Sequence, residues 1–169
     1  MIFIDGSNVY WGLKNFNKVN GTKHKISYSK LVEQLCNGRY CVRTYYYCSA
    51  PVPPPEEQNK FMDSLRFSGI QVVDKKLKTR KDDRGTYTVE KGVDVALVID
   101  FLSLAWENAY DVAIIVSGDA DFVHAIEKVK AKGKRVEVVS FKDSISGEIR
   151  RVSDTPFVNL DDIIDKVKI

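Results

Sequence analysis

Short runs of apolar, often β-branched residues alternate along the chain with stretches whose apolar positions recur at helical spacing. Ile2-Phe3-Ile4 is brief and unbroken, the pattern of a strand covered on both faces. Asp5-Gly6-Ser7-Asn8 follows as a turn-and-cap cluster, and a helix is expected over about Val9–Phe16. Asn17–Lys25 is polar and reads as a loop. Tyr28–Asn37 carries apolar residues at 28, 31, 32 and 35, and Asn37-Gly38 ends the helix they predict. Tyrosine-rich Cys41–Cys48 predicts a second strand. Pro51-Val52-Pro53-Pro54-Pro55 fits neither strand nor helix interior. Glu56–Phe67 resumes a helix that Gly69 caps, and Ile70–Val73 is a third strand. Lys75–Lys91 alternates around Lys81-Asp82-Asp83-Arg84-Gly85 and predicts a hairpin. Asp94–Trp106 is a strongly apolar helix and Val112–Val116 a fourth strand, closed by Ser117-Gly118-Asp119. Ala120–Lys132 is a helix ended by Gly133, and Val136–Phe141 a fifth strand. A short helix near Ile145–Val152, a stub at Phe157–Leu160 and a helix from Asp161 complete the pattern.

Strands alternating with helices predict an α/β domain, with a mostly parallel sheet of about five strands covered on both sides, plus the β-hairpin. A chain of 169 residues suits one domain, residues 1–169, and its composition excludes a disordered chain, a collagen-like fibre and a disulfide mini-protein. No window approaches the roughly 20 apolar residues of a membrane helix. The start Met-Ile-Phe-Ile-Asp lacks a basic n-region, so a cytoplasmic protein is expected. Cys36, Cys41 and Cys48, without a CxxC, read as reduced structural thiols. The charge is uneven. Residues 75–91 hold seven Lys or Arg against three Asp or Glu, a net +4, and the rest of the chain carries −1. Such a cluster is the footprint of a phosphate-bearing partner, or else a solvated hairpin whose lysines guard an edge.

The chemistry gathers at strand ends. Asp5 closes the first strand, Asp119 lies just past the fourth with Asp121 two residues on, and Asp94 opens the apolar helix. Parallel sheets bind ligands beyond their carboxyl ends, where strand order reverses, so these acids converge if the first and fourth strands are neighbours there. Singly, Asp94 and Asp121 read as first-turn helix acids and Asn8 as a cap. Together they form an acidic cluster whose members raise each other's pKa, a cost that a hard divalent cation removes. Mg²⁺ and Mn²⁺ suit oxygen ligands, and no His/Cys cluster favours zinc; His24 and His124 read as ordinary histidines. A metal held by Asp5, Asp94 and Asp119 would polarise a phosphoryl oxygen and activate a water for in-line attack. Lys76, Lys78, Arg80, Arg84 and Lys91 would hold a nucleic-acid backbone beside it. Tyr87, with Tyr10, would stack on unpaired bases, and Trp11 is expected in the core. GxxxxGK[ST], GxGxxG and GxSxG are all absent. Ser7 stands where an aspartyl-phosphate phosphatase needs its second aspartate.

Four segments occur in order along nearly the whole chain: Ile2-Phe3-Ile4-Asp5-Gly6-Ser7-Asn8, Lys91-Gly92-Val93-Asp94-Val95, Val116-Ser117-Gly118-Asp119-Ala120-Asp121-Phe122 and Lys134-Arg135-Val136-Glu137-Val138. They closely resemble the NYN domains of the PIN-like nuclease superfamily, in particular the LabA-like group of bacteria and archaea. The resemblance implies a three-layer α/β/α PIN-like (Rossmannoid) fold and a metal-dependent endoribonuclease using Mg²⁺ or Mn²⁺. By motif position it implies Asp5, Asp94 and Asp119 as catalytic, metal-holding acids, Asn8 in support, and Asp121 as an outer or additional ligand. Ser117 would contact metal-bound water or phosphate, or simply serve the turn. Asp100 falls in the helical motif, but six helical residues turn about 600°, which sets it off the Asp94 face. RNA, single-stranded or structured, is the expected partner, and a homodimer would join two hairpins into a longer groove. Two other readings stand beside this one: a catalytically weak RNA- or protein-binding regulator of the same fold, and a phosphatase for a small phosphorylated metabolite.

Overall fold

Ile2 and Ile4 face one side of the first strand and Phe3 the other, and all three are fully buried. A strand with both faces covered needs helices on both sides, and the computed structural model has them. It describes the backbone of residues 1–82, 85–89 and 92–169 and the side chains of residues 1–77 and 92–169. In chain order the elements are β1 (Ile2–Asp5), α1 (Gly6–Asn20), α2 (Tyr28–Cys36), β2 (Thr44–Ala50), α3 (Glu56–Phe67), β3 (Ile70–Lys76), β4 (Lys78–Asp82), β5 (Gly85–Val89), α4 (Val93–Trp106), β6 (Val112–Val116), α5 (Val123–Ala131), β7 (Arg135–Ser140), α6 (Gly147–Val152), β8 (Val158–Asn159) and α7 (Leu160–Val167). Short 3₁₀ turns lie at Ala120–Phe122 and Lys142–Ser144.

Six strands form one sheet in the order β3-β2-β1-β6-β7-β8, every pairing parallel. β4 and β5 form a separate antiparallel pair. Leu97, Phe101 and Ala105 of α4, with Ala125, Ile126 and Val129 of α5 and Ile149 of α6, pack on one face of the sheet around Phe3, Tyr45, Tyr47 and Ile115. Val9 of α1, Leu31 and Leu35 of α2, Leu65 of α3 and Ile164 of α7 pack on the other face around Ile2, Ile4, Tyr46 and Ile114. The result is a three-layer α/β/α sandwich. No helix among the described residues is long and apolar enough to cross a membrane.

The departures from the sequence reading are local. The sheet has six strands rather than about five, because β8 spans two residues and is too short to show a period. α1 starts three residues earlier and ends four later than expected over Val9–Phe16; its last turn, Asn17–Asn20, holds a single apolar residue, the exposed Val19, too little to mark a buried face. The second strand begins at Thr44, which leaves Cys41 in the preceding loop, and the third runs on through the exposed Lys75 and Lys76. The helix expected from Ala120 opens as a 3₁₀ turn before α5.

Candidate active site at the sheet reversal

The chain winds outward from β1 through β2 to β3, then crosses over and winds from β6 through β7 to β8. Strand order therefore reverses between β1 and β6, whose register pairs Ile4 with Val116. Asp5 and Ser117, the next residues on each strand, leave the sheet side by side. Asp5 is 3% exposed and its backbone is extended (φ −77°, ψ 100°), so it can cap α1: its Oδ1 accepts from the Asn8 N–H at 3.1 Å. Its other oxygen accepts from the Ser117 hydroxyl at 2.9 Å. Ser117, fully buried, also accepts from the Asp119 N–H at 3.2 Å, and the Asp119 Oδ1 accepts from the Asp121 N–H at 3.0 Å. The Asn8 side chain adds a second tie, accepting from the Gly118 N–H at 3.1 Å. Asn8 is thus not the cap of α1; its backbone serves Asp5 and its side chain braces the β6 turn.

Gly118 is where this turn meets the chain after β7. Its carbonyl accepts from the Ser146 N–H at 2.9 Å, and a Cβ at this position would collide with the Ser144 carbonyl and lie 2.7 Å from the Ile145 Cα. Backbone cannot step aside as a side chain can, so Gly118→Ala is expected to cost about 1–3 kcal/mol. In a thermal melt this reads as a midpoint lowered by roughly 3–10 °C; a midpoint equal to the parent's would show that the 144–146 segment yields freely.

Asp94 lies exposed in the first turn of α4, Asp119 is half-buried, and Asp121 is exposed. Burial pushes the Asp5 carboxyl up to about 6; the bonds from Asn8 and Ser117 pull it down, and the charges of Asp94 and Asp119 push it up again. Asp94 and Asp119, predicted from separate motifs, therefore both stand within electrostatic reach of Asp5. Among the described residues, Asp5, Asp119 and Asp121 make no ion pair. No three His, Cys, Asp or Glu side chains among those residues are grouped so as to hold a metal ion as they stand. The donor set itself is all oxygen, centred on a carboxylate whose charge is disfavoured chiefly by burial and further by Asp94 and Asp119. That chemistry fits a hard divalent cation.

The other predicted residues are dispersed. Lys76 is exposed at the end of β3, two strands from β1. The side chains of Lys78, Arg80 and Tyr87, and all of Arg84 and Lys91, lie outside the described residues. Asp100 accepts from the Tyr47 hydroxyl at 2.9 Å, which ties α4 to β2, and burial with the Asp100 charge raises the Tyr47 pKa. Trp11 is not a core residue: it is 58% exposed, stacked edge-on with Tyr10 at 5.2 Å, because the buried face of α1 is filled by Val9 and Gly12. The sequence places Gly118 in a turn and in one of the four resembling segments, but carries no signal of its close approach to Ser144 and Ile145.

The family model described as NYN domain matches residues 1–161. The chain belongs to the NYN domain family. NYN domains are a PIN-like nuclease family. This NYN chain is 29% identical to the Low amplitude and bright protein LabA of Synechococcus elongatus over 164 residues, 96% of this chain and 83% of that protein. A stretch of 62 residues, 37% of the chain, is 34% identical to 26% of an uncharacterized protein of Methanocaldococcus jannaschii. The crystal structure of a protein of unknown function from Vibrio parahaemolyticus has the same fold, with a TM-score of 0.78 at 24% identity over 99% of this NYN chain and 94% of that one.

Proposed function

We propose that this NYN domain is an endoribonuclease that hydrolyses RNA phosphodiesters with Mg²⁺ or Mn²⁺, acting as a single domain in the cytoplasm. The observation that carries the reading is the hydrogen-bonded run from Asp5 through Ser117 to Asp119 at the strand reversal, with Asp94 close enough to raise the Asp5 pKa. Asp5, Asp94 and Asp119 would hold the cation, with Asp121 beside them. Bound there, it supplies Lewis acidity toward a phosphoryl oxygen and makes water a better nucleophile at neutral pH. The protein supplies orientation. Two donors fix the Asp5 carboxylate, Ser117 links it to the Asp119 backbone, and Asn8 holds the Gly118 amide. Three free, partly buried thiols suit a reducing compartment. The test is incubation of purified protein with mixed RNA plus Mn²⁺ or EDTA. Cleavage with Mn²⁺ and none with EDTA is expected; intact RNA under both conditions overturns the reading.

One observation favours the second reading, an RNA-binding regulator with negligible turnover: as placed, the described acids do not form a metal-holding group. Calorimetry separates the two, since a regulator binds RNA without binding Mg²⁺ or Mn²⁺. Under either reading the basic segment carries backbone affinity. Neutralising Lys76, Lys78 and Arg80 together should weaken RNA binding and flatten its log–log salt dependence by about 2 for a single strand. An unchanged slope would remove this segment from the interface.

A further inference from the structure

A groove of ≈ 800 Å³ opens where α1 leaves β1, within the roughly 300–1,000 Å³ typical of ligand pockets. Gly6 and Ser7, which directly follow Asp5, line it, as do Cys48 and Ser49 near the carboxyl end of β2. It therefore shares the rim of the sheet with the acids. We propose that this groove binds the unpaired bases of single-stranded RNA flanking the bond to be cut, an inference that rests on the nuclease reading above.

One wall is an aromatic cluster. Tyr28, Tyr46 and Phe61 pack edge to face, with ring centroids 5.1 Å (Tyr28–Tyr46), 5.7 Å (Tyr46–Phe61) and 5.8 Å (Tyr28–Phe61) apart. Phe61 is 37% exposed at the edge of this cluster. The opposite wall is α1, where Tyr10 is 56% exposed and Lys14 follows one helical turn later on the same face. The Lys14 ammonium lies 4.5 Å from the centre of the Trp11 ring and 5.9 Å from that of Tyr10, so two cation–π contacts hold it at the mouth of the groove. Exposed Lys25 adds a second cation, Glu57 is the one acidic side chain of the lining, Ile169 lines it too, and His24 is half-buried. Aromatic planes interleaved with cations match a chain that alternates flat bases with phosphates. A base in a duplex has both faces covered by its neighbours and offers none to Tyr10, so the groove selects single strands.

The groove is also mechanically joined to the acids. A Cβ at Gly6 would lie 2.6 Å from the Tyr46 hydroxyl and 2.6 Å from the Tyr47 carbonyl, so the turn carrying Asp5 rests directly on the aromatic wall. A strand seated on that wall is registered against the catalytic rim.

The test uses the full chain carrying Asp119→Asn, in EDTA, so that RNA stays intact. Binding of a fluorescent single strand of about ten nucleotides is followed by anisotropy beside the matching duplex. Tyr10→Ala and Lys14→Gln are added singly; both side chains are exposed, and a melt confirms the fold. Tyr10→Ala is expected to weaken single-strand binding about tenfold and leave duplex binding unchanged. Lys14→Gln is expected to lower the salt slope by about 0.7. A 4-thiouridine strand should photocrosslink to peptides of α1 or α3. Parental affinity in both variants, with crosslinks elsewhere, overturns the groove even if the parent chain cleaves RNA, and leaves the nuclease reading standing. Equal loss of duplex binding overturns the selection of single strands. A parent that neither binds nor cleaves RNA overturns both.

Discussion

Asp119→Asn protein is expected to fold as the parent does and to cleave RNA about three orders of magnitude more slowly. The structural part of this residue survives the change. Asp119 contributes a backbone N–H to Ser117 and a single carboxylate oxygen to the Asp121 N–H, where it caps the 3₁₀ turn. Asn offers the same oxygen and is as good a cap. What disappears is one of the two negative charges, Asp94 and Asp119, that act on Asp5. The cation would then be held by Asp5 and Asp94, and the field that stabilises charge on the reacting phosphate weakens with it. Initial rates at fixed Mn²⁺ measure the loss, and a Mn²⁺ titration shows the metal requirement moving to higher concentration. Turnover at the parental rate, with the parental metal dependence, would remove Asp119 from the centre.

Asp5→Asn should make the metal-free protein more stable at neutral pH while it loses activity. The Asp5 carboxyl is raised from 3.8 to about 6, chiefly by burial. The folded state therefore binds this proton more tightly than the unfolded chain does. That contribution to stability is fully present below about pH 4 and is lost as pH rises toward 6, leaving an ionised, buried acid at pH 7. The difference corresponds to about 3 kcal/mol. Asn can occupy the site, with its oxygen facing the Asn8 N–H and its amide donating to the Ser117 hydroxyl oxygen. A gain of about 1–3 kcal/mol, or roughly 3–10 °C in melting midpoint, is expected at pH 7.5 in EDTA. The gain should shrink toward pH 4, where the parent's own carboxyl is protonated. Mn²⁺ should raise the parental midpoint more than that of the variant. Equal midpoints at pH 7.5, or a gap that widens on acidification, would contradict this account. Stability given up at a functional position is the usual sign of a site shaped for chemistry.

Much of the fold could be read from the sequence because its signals are local. β1 and β6 are short apolar runs ended by aspartate or serine, and α4 is an apolar stretch that Gly92 precedes. The motifs around Asp5, Asp94 and Asp119 named the acids. Their convergence was conditional, since nothing in residues 2–5 or 112–116 says that those strands pair; that depends on the crossover. Trp11 was misjudged for a similar reason. Helical spacing around Val9 allows an apolar face either way, and packing against Phe141 decides it: Gly12 approaches that ring so closely that the side chains flanking Val9 turn to solvent. β8 lies inside the stub expected at Phe157–Leu160, too short to show a strand's period, and the last turn of α1 has only the exposed Val19 to signal a face. The groove could not be seen at all, since its walls come from α1, α2, α3 and β2, and no single segment signals their meeting.

β1 is the earliest strand in the chain yet lies in the middle of the sheet, and the bond from Ser117 to Asp5 spans 112 positions. On the ribosome, a nascent chain with only its first hundred residues outside the exit tunnel holds Asp5 and Asp94 without Ser117 or Asp119. Such long-range closure is slow compared with helix formation. On the reading proposed above, a centre built this way closes only after residues well past Asp94 have emerged, so the messenger being translated does not meet an assembled site while Ser117 and Asp119 are still inside the tunnel.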